Sequence, residues 1–338
     1  NVATGNGGAI WLGSKSLDIT SSEISGNTAN LGGGIFVTGA STTLVGNELT
    51  VASNEATENS TDGYGGGIHI AGGATVTITD LTLNNNTAPH GGGIGLIGGS
   101  TLTINGISAK GNEATGYTTT DDAGTVTINS GNGGAINAGE GSLTIGKGTK
   151  ILSNVFEENV ANSGGGAIYI YNTATTFVAN EIVATSNEAT NDRGGALYLR
   201  GADVKIDIGT LTLTDNSAKG YAGGAYFYAF KGGKVGTIVA NGNSSKANGG
   251  AIYIAGSAEL TIDSLSGEGN TTTANGGLAY ITTSTTTIKS GNIGENTDKS
   301  GYSLYLLANV TVYDGKFTYL EGAVNDEAKL IKVAEPTA

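Results

Sequence analysis

The chain repeats one hydrophobic pattern: short runs in which apolar and polar residues alternate, broken by Gly, Asn, Asp and Ser. Ala167-Ile168-Tyr169-Ile170, Ser142-Leu143-Thr144-Ile145 and Thr210-Leu211-Thr212-Leu213 are examples. Period-two alternation marks a strand with one face turned inward. No window sustains apolar residues at i, i+3, i+4 and i+7, and β-branched Thr, Val and Ile dominate between the turns, so strands and not helices are expected.

The runs are organised into a repeat. A Gly-Gly-small-aliphatic block recurs with its aliphatic position at Ile10, Ile35, Ile68, Ile94, Ile136, Ile168, Leu197, Tyr226, Ile252, Ala279 and Leu304, at intervals of 25 to 42 residues. The stretches Thr57 to Gly63 and Thr115 to Gly131 account for much of that spread and read as loops inserted at one corner. Three short strands per repeat, joined by tight corners, predict an all-β fold: a parallel β-helix (β-solenoid) of about eleven coils. At roughly 4.8 Å per coil the rod is of order 48 Å long.

An Asn stands several residues before most of the Gly-Gly blocks: Asn27, Asn54, Asn86, Asn112, Asn159, Asn187, Asn216, Asn243, Asn270 and Asn296. The column reads as structural, because Asn tolerates left-handed backbone and its amide can bond the same amide one coil away. The paired glycines turn the chain into the next strand without a Cβ clash. They are not phosphate loops, since a strand pattern and no helix follows each one.

Alternation also assigns faces. Between the two inward aliphatics of the Gly-Gly strand, one residue per coil is expected to point out: Trp11, Phe36, His69, Gly95, Asn137, Tyr169, Tyr198, Phe227, Tyr253, Tyr280 and Tyr305. The last six form a candidate binding stripe about 24 Å long. Small Ala167, Ala196, Ala225 and Ala251 are expected to point outward as well and leave the rings clear of their neighbours. Such a stripe serves either as a stacked ladder that stabilises the coil or as a face for glycan or protein.

A second outward column holds Thr77, Thr103, Thr144, Thr261, Thr287 and Thr311, interrupted by Asp18, Val45 and Lys205. Regular Thr arrays resemble the ice-binding faces of β-helical antifreeze proteins, but the interruptions oppose that use. Glu55, Glu113 and Glu188 follow the corner Asn in alternate coils, with Thr87 and Val160 between, and read as solvated carboxylates about 9.6 Å apart. Asp121-Asp122, in the longer insertion, is a weak calcium candidate; no other metal site and no cofactor is expected.

Composition narrows the function. With 59 Gly and 2 Pro in 338 residues and no three-residue period, collagen and Pro-rich disorder are excluded. The absence of Cys removes disulfides and thiolate chemistry. A net charge of −13 without a basic run argues against nucleic acid, and no apolar stretch approaches the roughly 20 residues of a membrane span. The two His, His69 and His90, lie several coils from the two Arg, Arg193 and Arg200, and although Asp203 and Asp207 sit near Arg200, Asp203 reads as an ordinary outward strand position, so the constellation of a polysaccharide lyase or hydrolase is missing and no enzyme is expected. The first residues, Asn1-Val2-Ala3, match Asn159-Val160-Ala161, so an open first coil and preceding coils are expected. The array is read over residues 1–309; residues 310–338 lack Gly-Gly and read as a C-terminal cap or the start of another module.

Phe156-Glu157-Glu158-Asn159 followed by Gly165-Gly166-Ala167-Ile168 resembles the paired FxxN and GGAI motifs of polymorphic outer membrane proteins, bacterial autotransporter passengers used as adhesins. The GGAI half recurs at Gly133-Gly134-Ala135-Ile136, Gly194-Gly195-Ala196-Leu197 and Gly249-Gly250-Ala251-Ile252, whereas Ile24, Val51, Leu83, Leu213 and Ile293 replace the Phe. The similarity is therefore to the wider class of GGAI-type surface proteins, including adhesin-like proteins of gut methanogens. It implies a right-handed coil and an extracellular, cell-surface adhesin or stalk segment whose partners are glycans or proteins of a host or neighbouring cell. A filament or sheath subunit formed by self-association is the alternative; a polysaccharide-cleaving enzyme and an ice-binding protein rank below it.

Overall fold

The computed structural model describes residues 1–336 apart from 62–63, 123–124, 147–153 and 172–174, so the ends or parts of both corner insertions lie outside the described residues. The chain winds into coils that stack in parallel register. An 11-stranded sheet carries one strand of each coil, from Ile10–Leu12 to Leu304–Leu306. A 16-stranded sheet is built from longer strands such as Lys205–Thr214 and Glu259–Glu268. A third sheet has nine two-residue strands, from Thr28–Ala29 to Thr271–Thr272, each placed directly after a column Asn. The second insertion forms an antiparallel hairpin, Thr118–Thr120 with Val126–Ile128.

The aliphatic position stacks as the repeat predicts. Ile35, Ile68, Ile94, Ile136, Ile168 and Leu197 sit in one row of the core, all fully buried. One coil differs. Leu197 pairs with Ala225 and Ala225 with Ile252, so Ala225, not Tyr226, holds the aliphatic position. The reason lies in the second glycine of each pair: a Cβ on Gly166 or Gly195 would lie 2.1 or 2.0 Å from the carbonyl oxygen of Gly195 or Gly223 in the next coil. Only Gly fits there, which makes Gly223 the second member of its pair. Ala222 then takes the first position and adopts φ +58, where Gly165 and Gly194 have +66 and +68.

The Asn column forms a continuous internal ladder. The Asn27 side chain donates Nδ2–H to Oδ1 of Asn54 at 2.9 Å, and the bond repeats through Asn86, Asn112, Asn159, Asn187, Asn216, Asn243, Asn270 and Asn296. Each acceptor oxygen also takes the backbone N–H of the Asn before it, as Asn187 Oδ1 does from Asn159. The second amide hydrogen goes to a backbone carbonyl, Phe156 for Asn187 and Ala184 for Asn216. From Asn27 to Asn270 these amides are almost entirely buried, and they are fully bonded, which is what a buried primary amide requires. The left-handed backbone expected of Asn falls one residue earlier, on Ser53, Asn85, Glu158, Ser186 and Asp215, with φ between 53° and 55°. That turn aims the Asn side chain into the coil, where the amide can reach the next one.

At the other end, Val310–Tyr313 pairs in parallel with Thr286–Ile288, and Leu330–Val333 adds a further strand on it, so the long sheet runs on past residue 309.

Replacing Asn187 by Leu strands the Asn159 N–H groups and the Phe156 carbonyl. It should lower stability by roughly 3 kcal/mol or more, at 1–3 kcal/mol per unsatisfied buried group. Asn191→Leu, on the exposed surface, should change it by less than about 0.5 kcal/mol. Chemical-denaturant unfolding midpoints of the two variants check this ordering.

Candidate functional site

The column that alternation placed between the aliphatics is real: Tyr169 pairs with Tyr198, Tyr198 with Tyr226, Tyr226 with Tyr253, Tyr253 with Tyr280 and Tyr280 with Tyr305. Phe227, expected in the stripe, lies in the core and is fully buried; the one-residue shift in that coil puts Tyr226 in its place. Successive rings stack with centroids 4.7, 5.0, 5.0, 5.1 and 5.4 Å apart and interplanar angles of 4° to 20°. Coil spacing sets this separation, which falls in the range of offset stacking.

The rings do not stand clear. Tyr198, Tyr226 and Tyr280 keep only 4%, 3% and 8% of their surface. Ala167, Ala196, Ala225 and Ala251 do not flank the stripe; they belong to the hydrophobic core, Ala225 because it holds the aliphatic position and the others because the chain there is still turning out of the glycine corner. The cover comes from side chains outside the one-per-coil column. Tyr221 packs on Tyr253 at 5.0 Å, Tyr228 on Tyr226 at 5.8 Å and Tyr171 on Tyr169 at 5.3 Å. Arg193 lies over the rings of Tyr221 and Tyr226, donates Nη1–H to the Tyr226 hydroxyl at 3.3 Å and pairs through Nε with Asp192 at 2.7 Å. Sequence signals existed: Tyr171 and Tyr228 follow stripe tyrosines by two residues, and Tyr221 precedes one by five. Burial pushes the Tyr169, Tyr198, Tyr226 and Tyr280 phenols above their ordinary range, and that of Tyr253 up to about 12.

Toward the first coils the column changes character. Phe36 and His69 pack with ring centroids 5.1 Å apart; Gly95 follows, then Asn137 and Tyr169. Tyr64, from the end of the first insertion, fills the place left by Gly95: a Cβ on that glycine would lie 2.5 Å from the Cβ of Tyr64. Its ring meets His69 and His90, and its hydroxyl lies 3.1 Å from that of Tyr171. His69 is buried, with Nδ1 3.2 Å from the Tyr64 carbonyl; burial holds its imidazole down to about 4 despite that bond. Asn137 is also buried and donates Nδ2–H to the Asn132 carbonyl. The two insertions clasp each other, Asn59 Oδ1 accepting from the Thr118 N–H at 2.7 Å and Asn59 Nδ2–H donating to the Thr118 carbonyl.

The family model described as right handed beta helix region matches residues 6–208. The chain belongs to the right-handed β-helix family. No curated protein and no solved structure matches the chain.

The remaining columns of this right-handed β-helix fall as follows. Thr77, Thr103 and Thr144 stack in consecutive coils, as do Thr261, Thr287 and Thr311, but Val178, Asp207 and Lys234 stand between the two groups. Lys205, expected in this column, pairs with Thr176 in the column two residues over. Glu55, Glu113 and Glu188 alternate with Thr87 and Val160 as the sequence indicates. Asp121 and Asp122 lie at the hairpin tip, where Asp121 Oδ1 accepts the Thr125 N–H at 2.8 Å; no group of three or more His, Asp or Glu is poised for a metal among the described residues. No helix of the described residues is long and apolar enough to cross a membrane.

Two titrations follow from this face of the β-helix. His69 is protonated in the unfolded chain below about pH 6.5 but in the folded chain only near 4, so its contribution is present above pH 6.5 and lost as pH falls toward 4. His69→Phe, continuing the ring of Phe36, should remove roughly 2–3 kcal/mol of acid destabilisation, read as a smaller drop in melting temperature between pH 7 and 4.5. The tyrosines behave oppositely. Their raised values give stability that is present below pH 10 and lost above it, so Tyr253→Phe should melt with a smaller fall between pH 9 and 11.5 than the parent does.

Proposed function

We propose that this β-helix is a non-catalytic segment of a GGAI-type surface protein, displayed outside the cell as the stalk of an adhesin. The observation that carries the reading is the pair of axial ladders, amides from Asn27 to Asn296 and rings from Tyr169 to Tyr305, which tie coil to coil at two positions of the cross-section. A chain that commits one buried Asn per coil and a run of stacked tyrosines to axial contact is specified for length and stiffness. The stripe residues Tyr169, Tyr198, Tyr253, Tyr280 and Tyr305, with Tyr226, act in this reading as the ladder. Their faces are taken by each other, which leaves ring edges, and not stacking platforms, toward any partner.

Contact with glycan or protein on a host or neighbouring cell then falls to the corner insertions, which leave the coils without interrupting either ladder. The exposed hairpin carries Val126 and Ile128 at 63% and 59% exposure. The low count of basic and imidazole side chains supports the non-catalytic reading: Arg193 is engaged by Asp192 and Tyr226, and Arg200 lies over the Tyr228 ring.

Right-handed β-helices include enzymes such as pectate lyases, so turnover is the discriminating measurement. Incubation with a panel of neutral and acidic polysaccharides should release no reducing ends and no unsaturated products above a heat-inactivated control. Antibody against this segment should label intact producing cells as strongly as lysed ones. Reproducible turnover, or labelling only after lysis, would overturn the proposal.

A further inference from the structure

Where the tyrosine ladder ends, beneath the two clasped insertions, lies a depression of about 190 Å³. Its walls are aromatic: Tyr64, His90 and Tyr117 on the insertion side, with centroids 5.2 and 6.0 Å apart in succession, and Tyr169 and Tyr171 on the ladder side. Asn137 also lines it. That residue is 1% exposed; Nδ2–H is held by the Asn132 carbonyl at 3.2 Å, which fixes the amide orientation, while Oδ1 has no hydrogen-bond partner among the described residues. An unpartnered buried carbonyl oxygen costs free energy unless a donor reaches it. Among the described residues the lining contains no Asp, Glu, Lys or Arg.

We propose that this depression binds one neutral pyranose unit, the terminal sugar of a glycan, with Asn137 Oδ1 accepting from a ring hydroxyl. Three properties select that class. Aromatic walls that include Tyr64, Tyr117, Tyr169 and Tyr171 beside the polar Asn137 suit a ligand with an apolar C–H face and polar edges. The absence of charged groups from the described lining favours a neutral sugar over a uronate or sialate, whose carboxylate would be desolvated without a cation. The volume equals the liquid share of about six waters, enough for one ring and not for a stretch of chain. Because the insertions leave the coil at a corner, a terminal residue enters from outside without crossing the rod. The inference rests on the adhesin part of the proposed function, and not on the stalk.

Saturation-transfer NMR and calorimetry with the methyl glycosides of glucose, galactose, mannose and N-acetylglucosamine test it, with methyl glucuronide as the charged comparator. At least one neutral glycoside should saturate, outbind the glucuronide, and lose at least tenfold in affinity in Tyr117→Ala and in Asn137→Ala, while Tyr305→Ala at the far end of the ladder binds as the parent does. Tyr117 lies in the inserted segment outside the stacked coils, so its removal should leave the melting temperature unchanged and keeps the test valid if Asn137→Ala is unstable. No saturation by any neutral glycoside, stronger binding of the glucuronide, or binding retained in Tyr117→Ala overturns the proposal. None of these outcomes bears on turnover or cell-surface labelling, so failure of the pocket and failure of the stalk reading are separable.

Discussion

A buried primary amide has two donors and an acceptor that must all be bonded, and in this molecule the partners lie along the axis of the coil. Asn216 gives one hydrogen to Asn243 and the other to the Ala184 carbonyl, while its oxygen accepts from the side chain and backbone of Asn187. That arrangement closes only if the neighbouring coil places the same residue type at the same position, about 4.8 Å away. One side chain thereby fixes both the identity of a residue and the register of a whole coil. Leaving a rung unmade would cost more than the bond itself is worth, because the amides on either side would be orphaned in a dry interior.

The rest of the cross-section inherits this spacing. The tyrosines could not stack at 4.7 to 5.4 Å unless coils were held in register, and stacking at that distance contributes about 0.5–1.5 kcal/mol per pair. The same constraint says where the chain can grow. Both insertions lie after the column Asn and before the Gly-Gly pair, between Asn54 and Gly65 and between Asn112 and Gly133, so neither shifts a rung. Extra residues there cost only loop-closure entropy, which rises slowly with length.

The repeat made the coil count, the parallel stacking and the Asn column legible in the sequence, because each rests on a pattern that recurs within one coil. The local pattern falls short where coils meet. Alternation gives the parity of a strand position, and Lys205 and Asp207 share a parity; only pairing to Val178 shows that Asp207 holds the Thr column. Tyr226 and Phe227 differ in parity, yet the choice between them depends on the oxygen of Gly223 facing Gly195 from the next coil, a contact with no signature in the local pattern. Burial of the stripe was hidden for the same reason. A residue that points away from the core is exposed on an isolated strand, but on a solenoid its two axial neighbours cover both faces, and here Tyr221 and Arg193 cover its edges as well.

Those features also explain why the candidate pocket lies where it does. From Tyr169 onward every coil supplies a ring, so the column is closed by its own members. Before Tyr169 the column presents Asn137 and Gly95, one too short and one absent, and the ladder has no ring to continue it. Tyr64 from the first insertion enters over Gly95, and the second insertion places Tyr117 beside His90. The space left over Asn137 is thus bounded by ladder rings on one side and loop rings on the other, with a buried amide oxygen among them that the coils do not satisfy. A recognition site on a rod of this kind arises most economically at such a gap, where an interrupted column and an inserted loop coincide and neither ladder that holds the coils together has to change.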